Sequence, residues 1–432
     1  MLGQDTEEVL RKTLKYTPED IDALRAKDLV WTRLGGIQSC PNLCCPTNQG
    51  GSIAMSFELT EEQELLQSAI RDFARTEVEP LAVKLDDEGI FPAETMQRLA
   101  ELDLTGIPYP TEYGGAGADY VSYALVIEEL ARACASTAVI LAVHTLAASP
   151  IMSFGTPEQK NKFLPMLTEH RVLGAFALTE AGAGTDAGAL RTTAVLDDDH
   201  YVINGTKCFI TNGDEAGLVI LMAKAGPGEG TKGISAFIVE KSVSPFGVGK
   251  HEDKMGMRGS HTTELIFNDC RVPKENLLGA IGGGFKIAMA TLDGGRIGIG
   301  AQALGIAQAC LDESVRYAKE REQFGRPIAA NQAIQWMIAD MAKDVMAARL
   351  LVYNAASLRD NGKPYSMEAA IAKLFASETA MQHATKAVQI HGGYGYVRGS
   401  KVERLMRDAK VTEIYEGTSE VQRMVIAGLC LR

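Results

Sequence analysis

Three carboxylates stand within eight positions near the end of the chain: Glu413, Glu416 and Glu420, in "VTEIYEGTSEVQR" at 411–423. A carboxylate does proton chemistry when it is desolvated, because an apolar site raises its pKa and strengthens it as a base. Glu416 has the most suitable neighbours. Apolar Ile414 and aromatic Tyr415 precede it, and Gly417 lets the backbone turn and approach a ligand closely. Glu413 lies in a more polar run, and Glu420 falls in a helix capped by Thr418 or Ser419. A merely solvated loop carboxylate is the ordinary alternative for each of the three.

Other chemistries find less support. "GAGTDA" at 182–187 fits a G-x-G-x-x-A pattern but precedes a strand, so it lacks the helix N-terminus that holds a pyrophosphate. A plain tight turn and a turn that offers backbone N–H groups to a ligand are equally open there. The chain has no G-x-S-x-G and no G-x-x-x-x-G-K-[ST], and its seven His form no interpretable pairing with Ser or Cys. His144 sits in an apolar helical run and reads as a satisfied core residue; His391, before "GGYGY", is either structural or near a cofactor. Cys40, Cys44 and Cys45 cluster without a second His/Cys pair at zinc spacing, so no metal site is expected. The isolated Cys134, Cys208, Cys270, Cys310 and Cys430 read as small hydrophobes in a reducing, cytoplasmic compartment.

The elements that must position such residues are legible in outline. At 432 residues and 46% hydrophobic, the chain can build a large core in two or three domains. A net charge of −12 with scattered Lys and Arg argues against nucleic acid as the partner. No apolar run of membrane-spanning length is recognised, so no membrane insertion is expected. Residues 59–168 read as helical, with amphipathic runs at 60–80, 93–103, 120–134 and 157–168. Thr60 with Gln63 forms a capping-box pattern, and Thr156-Pro157 starts a further helix. From 172, short β-branched segments punctuated by Gly, Asn and Asp predict a compact antiparallel barrel or sandwich. Helical periodicity returns at 283–320, 331–361, 365–392 and 418–430, which predicts a four-helix bundle. The expectation is an α+β multidomain chain divided at 1–54, 55–171, 172–280 and 281–432.

Six motifs then stand in one order: "TEAGAGTD" (179–186), "CFITNG" (208–213), "DKMGMRGS" (253–260), "REQFG" (321–325), "QIHGGYGY" (389–396) and "IYEGTSE" (414–420). Together they resemble the acyl-CoA dehydrogenase family over essentially all of 57–432, most closely its short-chain (butyryl-CoA) branch. The resemblance implies a homotetramer with FAD between the β domain and the bundle, completed by a neighbouring subunit. It implies oxidation of a short-chain acyl-CoA to the 2-enoyl-CoA, with electrons passing to an electron-transfer flavoprotein. Glu416 would remove the Cα proton, and the flavin N5 would take the Cβ hydride.

By position, Phe176, Ala177, Leu178, Thr179, Gly184 and Thr185 would line the flavin with Phe209, Ile210 and Thr211; Thr179 and Thr211 would hydrogen-bond the ring. Arg321, Phe324, Gln332, Gln389, Gly392 and Gly393 would hold the diphosphate and adenine, partly across subunits. Thr418, Ser419 and Glu420 would touch the same cofactor. Thr185, Asp293, Gly294, Gly295, Arg296 and Gly417 would contact the CoA thioester. Some members carry the base on a bundle helix, at a position that falls here on Gly295, which cannot serve. Two departures from the family pattern are Phe209 where many relatives have Trp, and Ala181 where Pro is common. The alternatives are an oxidase or enoyl-CoA reductase on the same fold, or a non-catalytic flavin- and nucleic-acid-binding relative, which the acidic balance and Glu416 oppose.

Ahead of this region, "LGQDTEEVLRKTLKYTPEDIDALRAKDLV" carries a capped helix pair and resembles the closing segment of a family III CoA-transferase, while 31–54 has no usable periodicity. Met55 reads as the start of the folded chain. Residues 1–54 are expected to be a non-core extension, either the translated tail of an upstream reading frame with intergenic sequence or an ordinary disordered segment.

Overall fold

The computed structural model describes residues 58–432; the expected extension over 1–54, with Cys40, Cys44 and Cys45, lies outside them. The first helix, α1 (Glu61–Phe73), starts with the anticipated capping box. Gln63 N–H donates to Thr60 Oγ1 at 3.2 Å, and Thr60 N–H donates to Gln63 Oε1 at 3.1 Å. The expected continuation to residue 80 instead loosens into a π turn (Ala74–Val78) and a 3₁₀ turn (Glu79–Leu81), because Pro80 has no N–H to donate.

Helices α2 (Ala82–Glu88), α3 (Ala93–Glu101), α4 (Tyr120–Ala133), α5 (Ala135–Phe154) and α6 (Pro157–Thr168) follow. The expectation that no apolar run reaches spanning length fails at α5, whose 20 residues include no Asp, Glu, Lys or Arg. Every residue from Ala135 to Ile151 is nevertheless buried, so α5 is the core helix of this part of the fold. Its partner α4 buries two carboxylates and neutralises both. Glu128 accepts from Arg349 at 2.6 Å and from the Tyr353 hydroxyl at 2.6 Å, and Glu129 accepts from Arg71 at 2.6 Å. Because a buried charge is tolerated only when paired, these bonds fix α4 to both the first and the later helices.

An eight-stranded sheet comes next: β1 (Leu173–Ala177), β2 (Thr193–Asp197), β3 (His200–Thr211), β4 (Ala216–Lys224), β5 (Ile234–Glu240), β6 (Gly247–His251), β7 (Thr262–Pro273) and β8 (Leu277–Leu278). Its order is β6-β7-β3-β2-β4-β5-β8, with β1 added on β4. Most pairings are antiparallel as expected, but β1 and β2 run parallel to β4. Burial on both faces accounts for the almost continuous apolar run of β4. Leu218, Ile220 and Met222 pack with α5 and α6 residues, while Val219, Leu221 and Ala223 join Phe237, Leu265 and Phe267 on the other face.

The remaining helices are α7 (Gly284–Glu320), α8 (Gln332–Asp360), α9 (Ser366–His391), the single turn α10 (Gly393–Tyr396), α11 (Lys401–Thr412) and α12 (Ser419–Cys430). Helix α11 adds to the four expected; its apolar side, Val402, Leu405 and Ala409, is buried in the core shared with α4 and α5. Helices α7 and α9 run side by side in the same direction: Ser366 bonds Asp293, Lys373 N lies beside Gly300, and His391 stacks on Tyr317 at 4.2 Å.

Candidate active site

The loop that carries Glu416 links α11 to α12 and is tied from several sides. Lys373 Nζ donates to the Gly417 carbonyl at 2.7 Å, and Gln422 Nε2 donates to the same oxygen at 2.9 Å and to the Glu416 carbonyl at 3.2 Å. Ser419 N–H reaches back to the Glu413 carbonyl at 2.9 Å, and the Tyr415 hydroxyl donates to Gln302 Oε1. Thr418 caps α12 by accepting from Val421 N–H at 3.3 Å. These bonds hold two successive residues left-handed, Glu416 at φ 51° and Gly417 at φ 96°. For a non-glycine residue that conformation is strained and persists only where the surroundings enforce it.

The strain directs the Glu416 side chain inward. A Cβ built on Gly295 of α7 would lie 2.1 Å from Glu416 Oε2, so the carboxylate occupies the space that any other residue at 295 would fill. Oε2 is buried with no hydrogen-bond partner among the described residues. Burial pushes the carboxyl up to about 7, against the pull of the nearby Lys373 and Arg296 charges. The other two carboxylates differ. Glu413 forms a 2.7 Å ion pair with Lys410, and Glu420 is exposed at the first turn of α12. Gly295→Ala is expected to push the carboxylate out of its seat and lower the turnover rate about 100-fold with flavin content unchanged, measured by steady-state kinetics and absorbance.

Beside Gly295 lies a pocket walled by Tyr120, Tyr123, Thr145, Leu146, Ser149, Gly294 and Arg359. Arg359 closes it. Its guanidinium stacks 3.6 Å over the Tyr120 ring and donates to Ser149 Oγ at 3.2 Å, and a Cβ on Gly294 would collide with Nη1. Arg296 pairs with Asp293, whose other oxygen accepts from Ser366 at 2.5 Å. The six expected thioester contacts thus divide: Asp293, Gly294, Gly295, Arg296 and Gly417 gather around Glu416, whereas Thr185 is exposed on the loop after β1.

Two further groups of expected cofactor residues are each brought together. Cys208 N–H donates to the Thr179 carbonyl at 3.0 Å, placing Phe176–Thr179 beside Phe209–Thr211 on β3. The fully buried Lys207 fixes this junction, donating to the Leu178 carbonyl at 2.9 Å and to Glu180 Oε1 at 2.8 Å. Phe209, at φ 56°, leaves its ring 62% exposed, and Gly182 and Gly184 face open space where a side chain would be. Ser419 Oγ is buried without a partner among the described residues.

The second group, Arg321, Phe324, Gln332, Gln389, Gly392 and Gly393, clusters at the far end of α7 and α9. Arg321 faces the Tyr394 ring at 5.4 Å, the Phe324 ring is fully exposed, and Gly392 and Gly393 again face open space. At about 1.5 Å per residue, α7 separates Gly295 from Arg321 by about 39 Å. An aromatic residue and glycine turns facing open space fit FAD at each group.

Several neighbours of Glu416 escaped the sequence reading. Lys373 stands in "EAAIAKLFASETA", where one Lys amid buried alanines is the available signal. Tyr123, Gln302 and Gln422 carry no such signal, because only folding sets them against the loop, as it sets Arg359 against Gly294.

The chain matches three family descriptions: "Acyl-CoA dehydrogenase, N-terminal domain" at residues 60–171, the corresponding middle domain at 175–270 and the C-terminal domain at 282–429. It is 53% identical over 379 residues to the short-chain-specific acyl-CoA dehydrogenase of Clostridium acetobutylicum, covering 88% of this chain and 100% of that one. It is 54% identical over 375 residues to the acryloyl-CoA reductase (NADH) of Anaerotignum propionicum, covering 86% and 95%. Among solved structures, butyryl-CoA dehydrogenase from Megasphaera elsdenii superposes with a TM-score of 0.86 at 49% identity, over 88% of this chain and 100% of that one.

Proposed function

The chain belongs to the acyl-CoA dehydrogenase family, and from that premise we propose that Glu416 takes the Cα proton of a short-chain acyl-CoA in a pocket closed by Arg359. The activity is FAD-dependent dehydrogenation of an acyl-CoA to the 2-enoyl-CoA. Bound FAD supplies the acceptor for the Cβ hydride, which no side chain can provide. The observation that carries the reading is the unpartnered, desolvated Glu416 carboxylate seated against Gly295. Desolvation strengthens it as a base, while Lys373 and Arg296 keep part of it ionised near neutral pH. The backbone N–H groups of Glu416 and Gly417 donate no bond among the described residues, and they would polarise the thioester carbonyl as the proton leaves.

In this reading Thr179, Phe209 and Thr211 hold the flavin ring, and the Arg321 to Gly393 group holds the diphosphate and adenine of a neighbouring subunit's FAD. The exposed Phe324, Trp336 and Tyr396 support that division. A homotetramer, an electron-transfer flavoprotein as acceptor and a cytoplasmic location belong to the same proposal. So does the division at 55–171, 172–280 and 281–432. A reductive direction is a second reading, favoured by the similarity to an acryloyl-CoA reductase.

The test is anaerobic titration of the yellow protein with acyl-CoAs of increasing length. Butyryl-CoA is expected to bleach the flavin fully and octanoyl-CoA poorly. Arg359→Ala is expected to raise kcat/KM for octanoyl-CoA relative to butyryl-CoA at least about tenfold, since each added methylene is worth about 1–3 kcal/mol in a fitted pocket. An unchanged ratio would remove Arg359 from the role, and no bleaching by any of these thioesters would remove the proposal.

A further inference from the structure

Three ligand-type side chains that dehydrogenation does not use converge at one end of the sheet: Asp214 in the turn between β3 and β4, His251 at the end of β6, and His261 just ahead of β7. Asp214 Oδ2 lies 2.5 Å from His261 Nδ1 and 3.8 Å from His251 Nδ1, and one ligand atom from each residue falls within 4.8 Å of the others. The His251 and His261 rings meet edge to face at 5.4 Å.

The hydrogen bonds restrict what can stand between these atoms. His261 Nε2 lies 3.2 Å from the Gly89 carbonyl, which can only accept, so Nε2 carries the hydrogen. Nδ1 then turns a lone pair towards a carboxylate oxygen, and something positive must lie between them. A second proton would serve, and the Asp214 bond does push the His261 imidazole up. That arrangement leaves Asp214 Oδ1 buried without a partner among the described residues and gives the second histidine no role. A cation uses all three side chains. A ligating histidine whose other N–H is held by a backbone carbonyl is also the outer arrangement that metal sites favour.

We propose that Asp214, His251 and His261 bind a divalent first-row transition ion of the Zn²⁺ type, with water or Glu215 in the fourth position. Two imidazoles and a carboxylate suit Zn²⁺, Co²⁺ and Ni²⁺ rather than Ca²⁺ or Mg²⁺. Glu215 Oε1 stands 4.0 Å from His261 Nδ1, within reach of the ion. Loading requires Asp214 and His261 to part to about 3.2 Å, as two tetrahedral ligands do. His251 is the ligand free to move, since its side chain is 55% exposed. The ion would staple the sheet to the Gly89–Phe91 segment between α2 and α3, where Phe91 packs on the His261 ring at 5.5 Å.

The test uses the untagged, FAD-loaded full chain carrying Cys40→Ser, Cys44→Ser and Cys45→Ser, so that thiolates do not compete. After chelator treatment, Zn²⁺ is added by calorimetry and Co²⁺ by visible absorption. The proposal expects one Zn²⁺ per chain, a tetrahedral Co²⁺ spectrum and a raised melting temperature. His251→Ala, at an exposed position that leaves the fold intact, should weaken binding by at least the roughly 10–100-fold that outer partners alone contribute. His261→Ala should do the same. No saturable Zn²⁺ binding, or binding equal in the parent and His251→Ala, overturns the site.

Discussion

Glu416→Gln leaves a yellow, FAD-loaded protein that butyryl-CoA no longer bleaches. Glutamine keeps the size of the side chain and removes only its basicity, so the loss isolates the proton transfer, worth about 10²–10⁴-fold. The parent enzyme should show the matching pH dependence. The base acts when ionised, so the bleaching rate rises with pH and levels off above about 7. Stability should move the other way. The folded carboxyl holds its proton up to about 7, whereas an unfolded one releases it near 4.5, so stability falls as pH rises between those values. Above that window the buried charge costs about 3 kcal/mol, which the neutral variant avoids. At pH 8, Glu416→Gln should therefore melt at a higher temperature than the active protein. Anaerobic stopped-flow and thermal melts measure both effects, and bleaching of the variant at the parent rate would exclude Glu416 as the base.

The second large effect is expected at Glu180. Its carboxylate accepts from Arg191 N–H at 2.6 Å, Thr192 N–H at 3.0 Å, Thr192 Oγ1 at 2.6 Å and Lys207 Nζ at 2.8 Å. Burial pushes this carboxyl up, but the Lys207 and Thr192 bonds outweigh it and hold the group at about 2. Its contribution to stability is present above 4.5 and is lost as pH falls towards 2. Glu180→Gln strands the Lys207 charge in the interior, at a cost of about 3–5 kcal/mol. A clear drop in melting temperature should accompany easier release of FAD, since Lys207 also fixes the Leu178 carbonyl beside Thr179. Adding Lys207→Met should restore much of the loss, because a buried pair replaced by apolar atoms is often nearly neutral. If the single variant melts and retains flavin like the parent, the pair is not what holds this junction.

The sequence by itself determined the three-part order of elements, because periods of 3.6 and 2 are local and survive in one dimension. It also singled out Glu416 among three carboxylates, through apolar neighbours on one side and a glycine on the other. It read α5 as helical but missed that its apolar run reaches spanning length, which a helix buried on every side can do. It missed the parallel pairing of β1 with β4, since strand direction depends on a crossover rather than on residue type. What only the tertiary structure decided is which distant residues share a space. Gly295 and Glu416 are 121 positions apart, yet one is the seat of the other. Lys373, Arg359 and the Asp214–His251–His261 cluster are ordinary polar residues along the chain. Packing sets them against a partner, and the resulting loss of water and nearness of charge give them their chemistry.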